Sequence, residues 1–531
     1  MTTANAPVLV VGGRTTGLMM ASELARRDIP VRIIDKSPGI DPHVRANLLH
    51  SRTLELFQSL GIAEAVIEGS FEEHGVCLYA QGELVAVERH APVDSAFPYG
   101  MSQSQATTES VLEGHLNRLG VEVERSVVLR EIEERGDRVV ATLEHENGST
   151  ETTEAPWLIG CDGAHSAVRH LTGCAFPGDP DPYPYVLADV VVDGKLEDNF
   201  GYFFLHEAGD LFLFSMLPGR RRLVSANLPP GHELDESPTL EQMQALVDER
   251  GVPGLTLSDP RWLTTFRIHY RLAPHYRQGR IFLAGDAAHV HSLLAGQGMN
   301  TGIQDAYNLG WKLASVIDGI APEAWLDTYE SERKQVGAQV LAMTRHATEN
   351  AELFANVSQA ERDRLVAHTL IPEAQRVEAA RSLQELDIDY RGSRLCVEAD
   401  SGFEGGPRAG AQAPDASPIL VDGVATSLFK QWSGTRYRLV LFGGHQQSMD
   451  EVRKVAAESV ERYRDWIDAF VVVREPEEGW GDVVAIHDAE GVMHDRYAAD
   501  MPCMYLVRPD GYVAYRDRNA SSPKPYFDRV L

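Results

Sequence analysis

Cysteine is scarce. The 531 residues hold five, Cys77, Cys161, Cys174, Cys396 and Cys503, an odd number with no CxxC pair. That excludes a disulfide framework and a thiolate zinc site, so no metal is expected, and it points to a reducing, cytoplasmic location. Long apolar runs are missing too. No stretch reaches the roughly 18 residues of a membrane span, and the opening MTTANAPVLVVGG has no basic segment before its short apolar run. Neither a membrane helix nor a secretory leader is expected. Positive charge is in deficit: 49 Lys and Arg against 78 Asp and Glu leave a formal net charge of -29. Such a surface disfavours nucleic acid and anionic membrane as partners. Internal repeats and low-complexity tracts are absent as well. What remains is ordinary globular composition, 43% hydrophobic and 24% charged, in a length suited to two or three domains.

Three junctions carry the chemistry. At the first, apolar residues 7–11 read as a buried parallel strand. They enter Gly12-Gly13-Arg14-Thr15-Thr16-Gly17, a helix bearing Leu18, Met19, Leu24 and Ala25, and a strand at 31–34 that stops at Asp35. Strand, glycine turn, helix, strand and acid in this order form the dinucleotide-binding βαβ pattern. Glycines let backbone N–H groups approach a pyrophosphate at a helix N-terminus, and Asp35 can accept from ribose hydroxyls. Arg14 stands where GxGxxG has its second glycine. A side chain there is expected to crowd the turn, reach the phosphate or turn to solvent. At the second junction a strand at 157–160 runs into Cys161-Asp162-Gly163. At the third a strand at 281–284 stops at Gly285-Asp286, followed by a glycine-broken loop and a helix from about Asn300 to Gly319. A nicotinamide cofactor needs only the first junction. FAD needs more, because its ribityl chain and ring run past the first helix. An acid at 286 suits the ribityl hydroxyls, and the helix end near Met299-Asn300 suits the flavin edge that turns negative on reduction.

Between and after the junctions the texture changes. A helix through Leu54 and Phe57 stops at Gly61, and another spans 110–119. Strands are expected at 121–127, 138–143 and 150–153, the last two joined by Asn147-Gly148. From Cys174 to Tyr270, alternating runs at 186–192, 199–205, 211–217, 222–228 and 262–269 predict an inserted antiparallel sheet with one helix at 240–249. Helices are expected at 324–350 and over most of 359–386. Residues 400–407 read as a linker. Beyond it, strands at 438–442, 466–473, 483–487, 504–508 and 512–516 and a helix at 450–466 make a compact α/β domain.

On these residues the chain resembles the class A flavoprotein aromatic hydroxylases, the para-hydroxybenzoate and phenol hydroxylase superfamily. It is most similar to the subgroup of phenol 2-monooxygenase, pentachlorophenol monooxygenase and aromatic-polyketide hydroxylases. The match covers nearly the whole chain and rests on RANLLHSRTLELF at 45–57, CDGAHSAVR at 161–169, FRIHYRLAPHYRQGR at 266–280, GRIFLAGDAAH at 279–289, GQGMNTGIQDAYNLGWKLA at 296–314 and YLVRPDGYVAYR at 505–516. The resemblance implies an α/β fold: a Rossmann-like FAD-binding domain at 1–173 and 271–397, an inserted β-sheet substrate domain at 174–270, and a thioredoxin-like domain at 408–531. It implies FAD with NADPH or NADH as reductant, and O2 and a small aromatic molecule as reactants, in a monomer or homodimer. FAD would be held by Gly12, Arg14, Thr16, Gly17, Asp35, Lys36, Arg45, Gln105, Asp162, Gly163, Asp286, Gly296, Gly298, Met299 and Asn300. A phenolic or polycyclic ring would be hydroxylated through a flavin C4a-hydroperoxide. The alternatives are oxidative removal of a nitro or halogen group, Baeyer–Villiger oxygenation, epoxidation, and flavin binding with little catalysis. Two departures stand out. Residues 292–295 replace a proline-containing loop, and Asn47 replaces the aspartate taken as the phenol's base. His50, Tyr202 or Tyr270, a cation at Arg45 or Arg220, or an already acidic substrate are the substitutes; His50 has the most suitable intrinsic pKa. His289 and His291 are expected to cap and pack.

Overall fold

The computed structural model describes residues 6–232, 237–292, 296–355, 375–399, 402–444, 449–476, 479–518 and 522–531. Val8–Val11 is buried along its whole length and lies in the middle of a six-stranded sheet. It pairs in parallel with Val31–Ile34 on one side and Leu158–Gly160 on the other. Leu158–Gly160 in turn pairs in parallel with Ile281–Leu283. Apart from Arg32, which pairs with Glu124 and Glu151, the side chains of these strands are apolar on both faces, as a sheet covered on both sides requires. The helices Thr15–Ala25 and Gln297–Ile317 pack against one another. Glycine allows the close approach: a Cβ at Gly310 would lie 2.7 Å from Glu23 Cβ.

Expected and observed strands differ in one instructive place. Of 121–127 only Val123–Glu124 is a strand, and it is the parallel edge partner of Val31–Ile34 rather than part of a hairpin. Ser126, at φ 56°, breaks the extended chain. The hairpin partner of Arg138–Glu144 is instead Val128–Arg135, with Thr150–Ala155 on its other side. The helix expected at 110–119 begins earlier, at Gln105, where the Ser104 side chain accepts from Thr107 N–H. The expected helix at 359–386 lies outside the described residues up to 374; Arg376–Leu383 is helical.

The sheet expected at 174–270 has eight strands and is not purely antiparallel. Its order runs from His289–Val290 through Thr256–Leu272, Gly178–Asp193, Arg221–Asn227, Leu211–Leu213 and Phe200–Leu205 to the hairpin Gly75–Ala80 and Glu83–Arg89. Phe200–Leu205 runs parallel to Gly75–Ala80. Two strands are thus recruited from far upstream, a pairing that periodicity cannot reveal. Strand alternation sorts the side chains. Tyr202, Phe204, Leu213 and Val224 face the helix Leu240–Arg250, sharing a core with its Met243 and Val247. Tyr185, Phe203, Phe212, Phe266 and Tyr270 occupy the opposite face, where Leu341 of the long helix Asp327–Ala355 joins them.

The C-terminal sheet contains Ile467–Val473, Tyr437–Phe442, Cys503–Val507 and Val513–Asp517 as neighbours in that order. The first pair is parallel and the other two are antiparallel. With the helices Met449–Arg462 and Lys524–Val530 this is the thioredoxin arrangement. Cys503 is buried, and burial pushes its thiol up to about 12, so it is unsuited to redox exchange.

A turn of this domain is wedged into the flavin lobe. Arg508 reaches Glu332 at 2.8 Å and Asp510 at 2.6 Å, and Lys312 reaches Glu332 at 2.7 Å. Asp510 also accepts from Trp311 Nε1 at 3.0 Å. Removing one partner of such a buried cluster strands the others without water. Arg508→Met is therefore expected to lower unfolding stability by about 3–5 kcal/mol, read by calorimetry or denaturant melts; a loss under about 1 kcal/mol would contradict the cluster's structural role. Glu385 supplies a pH test. It is buried at φ 58°, bonded by Thr301 and Gln304, and burial raises its carboxyl to about 8. A carboxyl raised on folding favours the fold below its unfolded pKa and loses that contribution as pH rises to the folded value. Stability should fall between about pH 4.5 and 8, and Glu385→Gln should flatten that slope in melts run across this range.

Candidate active site

Three strand ends meet at one place. Gly12, at φ 109°, would carry a Cβ 2.3 Å from the Cys161 carbonyl oxygen, and a Cβ on Gly17 would lie 1.8 Å from the Gly12 oxygen. Only glycine fits either position, so the first turn closes against the second junction. Thr16 Oγ1 lies where Cβ atoms on Gly285 and Gly302 would come within 2.6 and 2.5 Å, which ties the first junction to the third. Arg169 joins the second to the third, donating to the Ala287 and Ala164 carbonyls. The result is a cleft at the carboxyl ends of parallel strands, the usual ligand position in open α/β sheets.

Arg14 leaves the glycine turn open. Its backbone is extended, and its guanidinium turns away to meet Asp41 Oδ2 at 2.9 Å. Arg45 meets the same oxygen at 3.0 Å, and His43 Nδ1 meets Oδ1 at 2.7 Å. Burial pushes the Asp41 carboxyl up, but these donors and cations outweigh it and hold it at about 2. Across the cleft Asp286 stands open to water although protein crowds it. That crowding pushes its carboxyl up, against the charges of His289, Arg45 and Arg14. Arg14 and Arg45 are thus close enough for their charge to act on Asp286.

The remaining expected cofactor residues divide. Asp35 accepts from Gly13 N–H at 2.5 Å and from Ser37 N–H at 2.6 Å, which fixes its carboxylate beside the glycine turn. Lys36 is exposed beyond it. Gln105 donates to Glu109 in its own helix at 2.7 Å. Asp162 Oδ2 accepts from Ala167 and Val168 N–H at 2.6 and 3.2 Å, so that oxygen starts the helix Ala167–Leu171; Gly163, at φ 81°, has open space around it. Gly296, at φ 63°, precedes Gln297–Ile317, whose first turn has no side-chain cap and no acid. Its N–H groups and positive dipole end are left for a ligand. Gly298 has only the His291 ring near its Cβ direction, at 3.7 Å. Burial, with His289 close by, lowers the His291 imidazole to about 4, so it is neutral near pH 7. Met299 is buried in the core. Asn300 is buried and spends its side chain on structure, accepting from His50 N–H and donating to the Leu48 and Gly296 carbonyls. Of 292–295 only Ser292 lies within the described residues.

The candidate bases are not brought together. His50 has no exposed surface and sits directly before the helix Ser51–Ser59. Tyr202 lies on the face of the large sheet that packs against Leu240–Arg250, away from the cleft; strand alternation decides this, and it corrects the expectation. Arg220 is in a turn at φ 58°, its side chain 71% exposed and paired with Asp198 at 3.3 Å. Its guanidinium is held by solvent and Asp198, so it is not an enclosed cation for a phenolate. Tyr270 is on the inner face, with its hydroxyl engaged by Asp181 and the Arg345 guanidinium 5.0 Å from its ring centre. The sequence reading also missed the anchor of the whole arrangement. Asp305 accepts from Gly285 N–H at 3.0 Å, lies 2.7 Å from His289 Nε2 and takes Arg333 Nε at 2.7 Å. The signal available was an acid on the apolar side of a helix. His289 packs there, as its position beside the loop suggested.

The chain has counterparts among known proteins. Residues 5–344 match the model of the FAD binding domain family. A flavin-dependent monooxygenase of Mycobacteroides abscessus is 36% identical over 99% of this chain and 100% of its own. The 6-methylpretetramide 4-monooxygenase of Streptomyces rimosus is 32% identical, covering 97% of this chain and 91% of its own. Among solved structures, the anhydrotetracycline hydroxylase OxyS from Streptomyces rimosus superposes with a TM-score of 0.75 at 28% identity, covering 97% of this chain and 96% of its own. The flavin-dependent monooxygenase PieE, solved with FAD and substrate, shares the fold with a TM-score of 0.82 at 22% identity, covering 99% and 98%. By the match to the FAD-binding domain and the full-length likeness to these enzymes, the chain belongs to the flavin-dependent aromatic monooxygenases.

Proposed function

We propose that this protein hydroxylates a phenolic, polycyclic aromatic substrate with FAD, O2 and NADPH or NADH. The observation that carries the reading is the convergence of three strand-end junctions on a cleft that faces an aromatic wall. The residues around the cleft fit FAD. Gly12 and Gly17 close the tight turn that sets a helix N-terminus toward a pyrophosphate, with Arg14 and Arg45 supplying positive charge at the rim. Asp35 stands at the adenosine end, and Asp286 offers an acceptor to a polyol chain. The uncapped start of Gln297–Ile317 stabilises negative charge on a ring placed there. When bound, FAD supplies the redox chemistry that activates O2.

The chain's own residues bind the substrate and keep water out. Tyr185 and Phe266 stack at 5.4 Å, and Phe203 meets Phe212 edge-on at 5.1 Å. Phe203, Phe214, Phe266 and Trp262 keep part of their surfaces accessible on that wall. Flat rings stack there with little loss of side-chain freedom, and the apolar lining excludes water from the reacting centre. His43 stacks on Trp262 at 4.9 Å, so the basic loop at the cofactor rim also closes on the substrate wall.

Purified protein should be yellow, and its oxidation of NADPH or NADH should rise at least tenfold with one member of a panel of hydroxylated naphthalenes and anthraquinones, with a hydroxylated product. Protein that stays colourless after incubation with FAD would overturn the reading. Asp286→Ala should weaken FAD binding about 10–100-fold, the worth of a hydrogen bond to a charged group; fluorescence titration giving wild-type affinity would remove Asp286 from the site.

A further inference from the structure

Asn47 cannot take a proton from a phenol; His50 is enclosed, Tyr270 is engaged by Asp181 and Tyr202 is turned away. A carboxylate from an unexpected strand lies in the crevice instead. Phe71–Glu73 is the outer strand of a small sheet whose centre is Gly100–Ser102 and whose other edge is Leu48–Leu49. Residues directly opposite one another share a face. Leu49, Met101 and Glu72 therefore lie on one face, where Leu49 and Met101 join the core of the flavin lobe. Leu48, Ser102, Gly100 and Glu73 lie on the other. Leu48 is the side chain that fills the space beside Gly296, its Cβ 2.8 Å from where a Cβ on that glycine would be. Glu73 thus shares a face with the residue that abuts the start of Gln297–Ile317, about two strand spacings, ~10 Å, away.

The large sheet closes the other side. Ser102 donates to the Ser215 carbonyl at 3.4 Å, and Ser215 Oγ lies 3.9 Å from a Cβ placed on Gly201. Gly201 alternates with Phe200 and Tyr202, which face the outer core, so Ser215 Oγ is on the inner side. Glu73 is half-buried between the two sheets.

We propose that Glu73 is the general base that ionises the substrate's ring hydroxyl in this crevice. The inference rests on the monooxygenase reading above. In the step, the ring O–H bond breaks and the proton forms an O–H bond on the Glu73 carboxylate. The electron pair stays on the ring oxygen and spreads to the ortho and para carbons, which become the nucleophiles. No oxidant is consumed in this step. Burial pushes the Glu73 carboxyl up to about 7, and the Ser215 hydroxyl beside it acts in the opposite direction. That places the group near working pH, where a base is most effective. The charged and titratable neighbours are few. His90 bonds the Glu73 backbone, and its imidazole is lowered by burial. His74 pairs with Glu72 at 2.8 Å and packs on Tyr99. Among the described residues Glu73 has no ion-pair partner.

The test compares FAD-loaded wild type with Glu73→Gln and Ser215→Ala, using the phenol from the naphthalene and anthraquinone panel that most stimulates NADPH or NADH oxidation. Product, hydrogen peroxide and pH dependence are measured. Wild-type hydroxylation should rise through an acid limb near pH 7. Glu73→Gln should keep FAD and phenol-stimulated NAD(P)H oxidation, lose about 100-fold in hydroxylation, and release peroxide in place of product. The deficit should shrink at high pH, where the phenol ionises unaided. Ser215→Ala should move the acid limb to higher pH, because it removes the hydroxyl that lowers the Glu73 pKa. A Glu73→Gln enzyme with wild-type product yield and pH profile, or an acid limb unmoved by Ser215→Ala, overturns the proposal and leaves the monooxygenase reading standing. A wild type that no phenol stimulates overturns that reading itself.

Discussion

A carboxylate with no access to water sits where the flavin lobe is held together. Asp305 lies in the third turn of Gln297–Ile317, and every bond it makes fixes a different segment. Gly285 N–H fixes the third strand-end turn, His289 fixes the strand that leaves it, and Arg333 fixes the long helix Asp327–Ala355. Arg333 in turn donates to the Thr301 carbonyl and the Tyr390 hydroxyl. Burial pushes the Asp305 carboxyl up, but Arg333 and His289 overcome that and hold it below the usual range. A buried charge this well bonded tolerates one geometry only. The cleft inherits that geometry, since Gly285 precedes Asp286 and the helix bearing Asp305 starts at the cleft.

The same logic extends to the C-terminal domain. Its sheet has the thioredoxin order, but its Cys503 is a buried thiol of high pKa, and its contribution lies in the turn after Val507. Arg52, one residue into the helix Ser51–Ser59, donates to the Asp510 carbonyl, while Trp311 and Asn308 donate to the Asp510 side chain. The two helices that begin at the cleft, after His50 and after Gly296, are therefore braced at one point by a single turn. The domain bears on the site through the packing of this turn against the two helices.

Much of the site was legible because its parts are local. Strand and glycine are consecutive at Val11–Gly12, and strand end, acid and glycine are consecutive at Gly160–Gly163 and Leu283–Asp286; the steric demand on Gly17 follows from the tight turn alone, whereas that on Gly12 comes from the distant Cys161 carbonyl. What was not legible involves partners distant in sequence. Tyr202 looked as suitable as Tyr270 until strand alternation placed them on opposite faces. The hairpin Gly75–Arg89 carries no mark of joining a sheet at Phe200–Leu205, because parallel pairing depends on a long connection. Whether Arg14 crowds the turn, reaches a phosphate or turns to solvent was open in the sequence; Asp41, 27 residues on, draws it aside.

By itself the sequence determined the strand ends, their acids and glycines, and hence a nucleotide cleft of flavin length. Those features depend on backbone sterics and on the short-range chemistry of a phosphate or polyol, which a dozen residues specify. Only the tertiary structure decided which side chains share the cleft. Asp305 became an anchor, His50 became enclosed, and Glu73 came to face the same crevice as Leu48. Facing is set by sheet register and by the packing of one layer on another, and a shift of one residue would reverse it.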